Sequence, residues 1–193
     1  LEKENHSKVR IKGETEKQIE TLLPALSEYQ PQTVKIDKHT HQAHMMIGNR
    51  AYSIHDKRRM ALYLLNNILG GPGMSARLNL ALRERRGLVY TVESSMVSYS
   101  LTGIWSIYFG CDADDLDECM RLVRVELDHF IDIPLTDDEL SVAKQQIKGQ
   151  IGIACDNREN LALDFGKGFL HYGWKKDISA LYRNIDAITA EEV

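Results

Sequence analysis

The sequence predicts an α+β domain of two layers, a largely antiparallel sheet with helices packed on one face. Three observations lead there. Segments that read as strands gather toward the first part of the 193 residues, and segments that read as helices gather toward the second. No regular βαβ alternation of the kind that builds a parallel sheet is present. Two strand candidates, residues 89–98 and 103–110, are separated by so few residues that a hairpin joins them and pairs them antiparallel.

The elements follow in order. Residues 8–12, Lys-Val-Arg-Ile-Lys, alternate polar and apolar as a half-buried strand does. Gly13 turns the chain into Thr15-Glu16-Lys17-Gln18, which has capping-box spacing, and a short helix through Ile19, Leu22 and Leu23 runs to Pro24. Residues 27–32 are polar with Pro31 among them and read as a linker. The chain therefore divides into residues 1–32, the end of a preceding domain and a linker, and residues 33–193, an α+β domain.

Within that domain residues 33–37 and 41–49 read as strands. Asp56 is placed to cap a helix whose Met60, Leu64, Leu65 and Ile68 recur at helical spacing, and Gly70-Gly71-Pro72-Gly73 stops it. Ser75 is placed to cap a second helix with Leu78, Ala81 and Leu82 on one face, ended by Gly87. After the hairpin come three apolar stripes. Leu116, Met120, Val123, Leu127 and Phe130 form the first; Leu140, Ala143, Ile147 and Ile151 form the second, opened by Thr136-Asp137-Asp138-Glu139; Leu161, Phe165, Phe169 and Tyr172 form the third.

Composition narrows the function. Lys+Arg number 24 and Asp+Glu 28, a net charge of −4, and the basic residues are scattered, which argues against a nucleic-acid surface or a polybasic membrane anchor. No run approaches the roughly 18 apolar residues of a membrane span. Cys111, Cys119 and Cys155 form no C-x-x-C, so neither a disulfide framework nor a thiolate zinc site is indicated. The chain begins without methionine in a charged segment and stops at Thr189-Ala190-Glu191-Glu192-Val193, where Thr189 and Glu192 have the spacing that opens a helix. The expectation is a piece of a longer polypeptide, its last domain truncated at the end.

Several constellations suggest chemistry. His39, His41 and His44 resemble a zinc cluster in spacing, but on a strand His44 faces away from the other two, and neither H-E-x-x-H nor H-x-x-E-H occurs. The glycine turn lacks the Lys-Ser/Thr of a phosphate loop and follows a helix instead of a strand. Asp112, Asp114, Asp115, Asp117 and Glu118 crowd a helix start, where the helix dipole accounts for them. Gly-x-Ser-x-Gly is absent, and Cys119 and Cys155 fall within helical stripes as packing residues. The remaining segment, residues 75–90, is an arginine-rich helix ending at Gly87 and passing into a strand with Tyr90. Such a junction sets a guanidinium and a phenol over a groove as donors for the carbonyls of an extended peptide. From spacing alone, the simpler reading is that the arginines coat a solvated helix face.

Leu69-Gly70-Gly71-Pro72-Gly73-Met74-Ser75-Ala76-Arg77-Leu78, followed by Leu82-Arg83-Glu84-Arg85-Arg86-Gly87-Leu88-Val89-Tyr90, resembles the C-terminal half of the insulinase/pitrilysin family of zinc metallopeptidases. That family's pattern reads Leu-Gly-Gly-Gly-x-Ser-Ser-Arg-Leu and then Leu-Arg-Glu-Lys-x-Gly-Leu-x-Tyr; Pro72 makes the turn one residue longer here. Gln42-Ala43-His44 with Ile47-Gly48, residues 136–140 with Lys144 and Gly149, residues 185–193 and residues 9–26 are similar to further stretches of the family. The resemblance implies a mitochondrial-processing-peptidase-like metallohydrolase domain, one of two halves that close around an unfolded peptide. It implies a zinc site and glutamate base in the other half, supplied in cis or by a catalytic partner subunit, and no metal ligands in this chain. Tyr90 would donate to the scissile carbonyl or its oxyanion and Arg83 would hold the neighbouring backbone, with Gly70, Gly71, Gly73, Ser75 and Arg77 among the substrate contacts. Some members of the family are non-catalytic scaffolds or partner subunits, which is the alternative. On either reading the isolated chain is expected to show neither peptidase activity nor stoichiometric zinc.

Overall fold

The computed structural model describes residues 29–38, 40–173 and 177–193. The strand expected at 8–12 and the helix through Ile19 lie outside the described residues. Among the described residues, three strands, β1 (Gln42–Ala51), β2 (Val89–Ser98) and β3 (Gly103–Asp112), form one antiparallel sheet in the order β1-β3-β2. The expected hairpin is β2–β3, closed where Tyr99 N donates to Thr102 O at 2.7 Å. Strand alternation sorts the faces. Ala43, Met45 and Ile47 of β1 and Trp105, Ile107, Phe109 and Cys111 of β3 turn toward the helices. His44, Met46, Glu93, Val97 and Ile104 point the other way and are exposed.

The helices are α1 (Arg59–Gly70), a π-helix (Asn79–Glu84), α2 (Leu116–Asp132), α3 (Asp137–Asp156), α4 (Arg158–Tyr172) and α5 (Ile178–Ala187), with 3₁₀ turns at Ala113–Asp115 and Ala190–Glu192. They build two apolar clusters. One joins the sheet to the π-helix and α2 through Leu69, Leu78, Leu82, Phe109, Cys119 and Val123; the other joins α1, α3 and α5 through Leu64, Leu140, Ile147 and Ile185. Each fully buried Leu, Ile or Phe contributes on the order of 1.5–3 kcal/mol. Because α1 offers Leu69 to one cluster and Leu64 to the other, it locks the sheet layer to the later helices. Lys144 of α3 adds a polar tie, donating to Asp186 O at 2.9 Å and Ile188 O at 2.5 Å beside the end of α5.

Four local expectations are corrected. Residues 33–37 form no strand: Val34 is 75% exposed and Ile36 72%, and no described strand lies beside them to take up their N–H and C=O groups. Asp56 does not cap α1, whose N-cap position is Arg58. Asp56 instead accepts from Arg58 N at 2.9 Å and Arg58 Nη2 at 2.8 Å, bracing the turn before the helix, and the Arg58 guanidinium holds its carboxyl below the usual range. Ser75 is not the cap: the π-helix of Asn79–Glu84 has Leu78 at its N-cap position and no side-chain capping bond. The third stripe is not inward: Phe165 and Phe169 are exposed on α4, which packs chiefly against α3 and adds no residue to either buried cluster.

Candidate functional site

The site is assembled by four successive backbone devices. Gly70 ends α1 directly against β2, where a Cβ would stand 2.6 Å from Ser94 N, so only glycine allows the helix end to approach the sheet this closely. The approach is stitched by buried polar groups: Asn66 Nδ2 donates to Ser94 O at 3.1 Å, Ser94 Oγ to Asn66 Oδ1 at 2.5 Å, and Trp105 Nε1 to Ser94 Oγ at 3.1 Å. The turn after it is held by Gly71 N donating to Asn67 O at 3.0 Å and by Asn79 Nδ2 donating to Met74 O at 3.0 Å. The π-helix then carries the wider Arg85 N to Leu80 O bond, 3.1 Å, and ends with Leu88 N reaching back to Leu82 O at 2.9 Å. Gly87, at φ 65°, supplies the left-handed residue that turns the chain into β2.

Tyr90 occupies a β-bulge. Val89 lies opposite Cys111 and Thr91 opposite Gly110, so Tyr90 is the extra residue on β2. Val89 is buried, whereas Tyr90 is 55% exposed. The bulge has thrown the phenol out of the core. Its hydroxyl donates a hydrogen bond to Asp112 Oδ1 at the end of β3, and this bond, with lesser contributions from desolvation and the charges of Asp112 and Asp115, pushes the phenol pKa up. Arg83 is exposed on the π-helix, and its carbonyl accepts from Gly87 N at 2.8 Å. Arg83 and Tyr90 therefore flank one turn at one end of β2. No hydrogen-bond or ion-pair partner for the Arg83 side chain is found among the described residues.

The other expected site residues lie in different surroundings. Gly70 is buried at the helix–sheet junction, Gly71 follows it, and Gly73 takes φ 134° in the turn. Ser75 and Arg77 line a cavity of about 370 Å³ with Asn67, Ile68, Leu135 and Glu139. Arg77 is spanned between α2 and α3: its guanidinium lies 4.3 Å from the Phe130 ring centroid and its Nη2 3.3 Å from Glu139 Oε1, while Nη1 is buried with no hydrogen-bond partner among the described residues. The structure thus sets Arg83 and Tyr90 on either side of the Gly87 turn and leaves Ser75 and Arg77 in a separate cavity. Asp112, read in the sequence as one of a run of helix-opening acids, is the group sequence reasoning missed; only its pairing with Tyr90 across strands reveals it.

Zinc does not fit these residues. No group of three or more His, Cys, Asp or Glu side chains is arranged to hold a metal ion among the described residues. His44 is engaged elsewhere, with Nδ1 2.9 Å from Tyr108 Oη and the rings stacked; His39 lies outside the described residues. Cys111 and Cys119 are buried, and burial first, then the neighbouring Cys111, pushes the Cys119 thiol up to about 12, which leaves it no role as a nucleophile at neutral pH. No described helix is long and apolar enough to cross a membrane.

Residues 4–147 match the family model described as the peptidase M16 inactive domain. The chain is 34% identical over 158 residues to an uncharacterized zinc protease of Streptomyces coelicolor, covering 82% of this chain and 34% of that protein. It is also 25% identical over 158 residues to the human mitochondrial-processing peptidase subunit beta, covering 78% of this chain and 32% of that protein. The chain thus spans about a third of the length of these relatives. Among solved structures, the peptidase M16 inactive domain from Pseudomonas fluorescens superposes with a TM-score of 0.67 at 25% identity, covering 79% of this chain and 36% of that one. A protein from Enterococcus faecalis shares the fold, with a TM-score of 0.69 at 22% identity over 84% of this chain and 39% of that one. On the motif residues, the fold and these matches together, the chain belongs to the insulinase-type M16 family of zinc peptidases and carries its inactive C-terminal domain.

Proposed function

We propose that this chain is the substrate-side half of a zinc endopeptidase that cleaves unfolded peptides within a closed chamber. The observation that carries the proposal is the placement of Arg83 and Tyr90, both exposed at the Gly87 turn, one on a π-helix and the other on a bulge. Arg83 turns its guanidinium outward, and Tyr90 turns out a ring whose hydroxyl is held by Asp112. A phenol O–H suits the oxygen on which negative charge develops as a peptide bond is attacked, and a guanidinium suits the flanking backbone carbonyls. In this reading residues 1–32 close a preceding domain and residues 33–193 form the C-terminal one. Gly70, Gly71 and Gly73 shape the wall, and Ser75 and Arg77 contact the peptide more remotely through their own cavity. The described residues do not fit zinc, so the metal and its ligands belong to a catalytic half, in cis or on a partner subunit. The names of the Streptomyces and human relatives support that assignment.

The test is complementation. The chain alone is expected to leave an unfolded peptide intact, and so is the catalytic half alone; the two together, or the full parent chain, are expected to cleave it. A catalytic half that works equally well without this chain would show a scaffold with idle residues.

A further inference from the structure

We propose that Asp112 is a latch on Tyr90, holding the phenol's only proton and competing for it with the substrate carbonyl. The inference rests on the peptidase reading for its consequence, but the contact stands on geometry alone. Tyr90 is the unpaired residue of a bulge, so no ladder position fixes it, and it lies at the edge of the exposed face. A hydroxyl has one proton to give, and Tyr90 gives it to Asp112 Oδ1. While that bond stands, the phenol oxygen is an acceptor only and offers nothing to a carbonyl or an oxyanion. Asp112 is the last residue of β3, opposite Gln42 of β1, so its position is set by the sheet's central strand.

The surroundings keep the phenol protonated. Besides Asp112, the ionisable groups that act on Tyr90 are Asp115 on the following 3₁₀ turn and Cys111, all acidic, and all favour the protonated phenol. Tyr90 therefore stays a donor, and its donor is occupied. A peptide that places a carbonyl at this end of β2 must take the proton from Asp112, and the price of that exchange falls on productive binding. This separates two roles the contact might have. A group that merely orients the ring helps turnover, whereas a latch opposes it.

Two measurements decide. With tyrosine ring carbons isotopically labelled, the Tyr90 resonance is assigned by its loss in Tyr90→Phe and followed through ionisation by NMR in the intact chain. Asp112→Asn and Asp112→Ala are expected to lower the Tyr90 midpoint toward the ordinary phenol range, and Asp115→Asn to lower it less. A Tyr90 midpoint unchanged in both Asp112 variants would overturn the latch. In the active parent or reconstituted pair, Asp112→Ala, which removes the acceptor, is expected to raise kcat/KM about fivefold, the worth of one hydrogen bond no longer surrendered. A fall in kcat/KM would make Asp112 an orienting group and overturn the latch as well. A wild-type pair that cleaves nothing sinks the peptidase reading instead, and the ionisation measurement alone then decides the latch.

Discussion

Residues 136–151 and residues 77–92 are stretches of equal length from one molecule, and they obey local rules to opposite degrees. The first behaves as its sequence dictates. Thr136 N donates to Glu139 Oε2 at 2.9 Å, Glu139 N donates to Thr136 Oγ1 at 3.3 Å, and Leu140, Ala143 and Ile147 turn inward at helical spacing. The second departs at each step: its helix widens to a π-helix, its turn uses a left-handed glycine, and its strand begins with a bulge. The regular stretch builds core and leaves mostly polar side chains outside. The irregular one also contributes buried Leu78, Leu82 and Val89, yet it presents Arg83 and Tyr90 to solvent. Irregular backbone at a place where packing is already satisfied is where function is expected, since such devices re-aim side chains.

The contrast is broken most severely in stability. Ile147→Ala, in the regular stretch, removes a fully buried side chain and is expected to cost about 2–5 kcal/mol in chemical denaturation. Tyr90→Phe is expected to leave the denaturation midpoint almost unmoved, because the ring is exposed. Comparable losses at both positions would mean that Tyr90 is a structural residue.

Next in size is the cap. Thr136→Ala is expected to cost about 1 kcal/mol. The Thr136 backbone and hydroxyl donors hold the Glu139 carboxyl below its ordinary value, with Arg77 a lesser contributor. A carboxylate lowered in the folded state stabilises above its unfolded pKa, about 4.3, and loses that contribution as pH falls through the lower folded value. The penalty of Thr136→Ala, followed by denaturation across acid pH, should therefore shrink as Glu139 is protonated. A penalty independent of pH would remove the bond from the Thr136 hydroxyl to Glu139 Oε2, 2.9 Å, from the account.

The smallest effect concerns the thiols behind Tyr90. Cys111 and Cys119 are buried, and Cys155 is half-buried on α3, so one fast and two slow thiols are expected with a disulfide reagent under native conditions. Because the Cys119 pKa is raised to about 12, its contribution to stability is complete below the unfolded value of about 8.5 and declines as pH climbs above it. Three equally fast thiols would show that the sheet end beneath Tyr90 opens readily.

How much of this was legible follows from the range of the forces involved. The β2–β3 hairpin and the Thr136 cap are written in contiguous residues, and both stand where the spacing predicts them. The π-helix is not legible, since over Asn79–Glu84 an apolar pattern serves either helical period. The bulge depends on which β3 residues face Val89 and Thr91, a register set across strands. The same blindness explains residues 33–37, where alternation is present but no strand among the described residues lies beside it, and Phe165 and Phe169, whose stripe joins no buried cluster among the described residues. Of the candidate site, Arg83 and Tyr90 were singled out by the family resemblance of residues 69–90, since their spacing alone reads as a solvated helix face; Asp112 required the cross-strand contact.

The central claim is that Tyr90 donates to the reacting peptide. Its most direct test is turnover of an unfolded peptide by the active parent or reconstituted pair carrying Tyr90→Phe, with bound zinc measured on the same sample. Turnover is expected to fall by roughly two to three decades at unchanged zinc content. Turnover equal to that of the unaltered protein would contradict the claim.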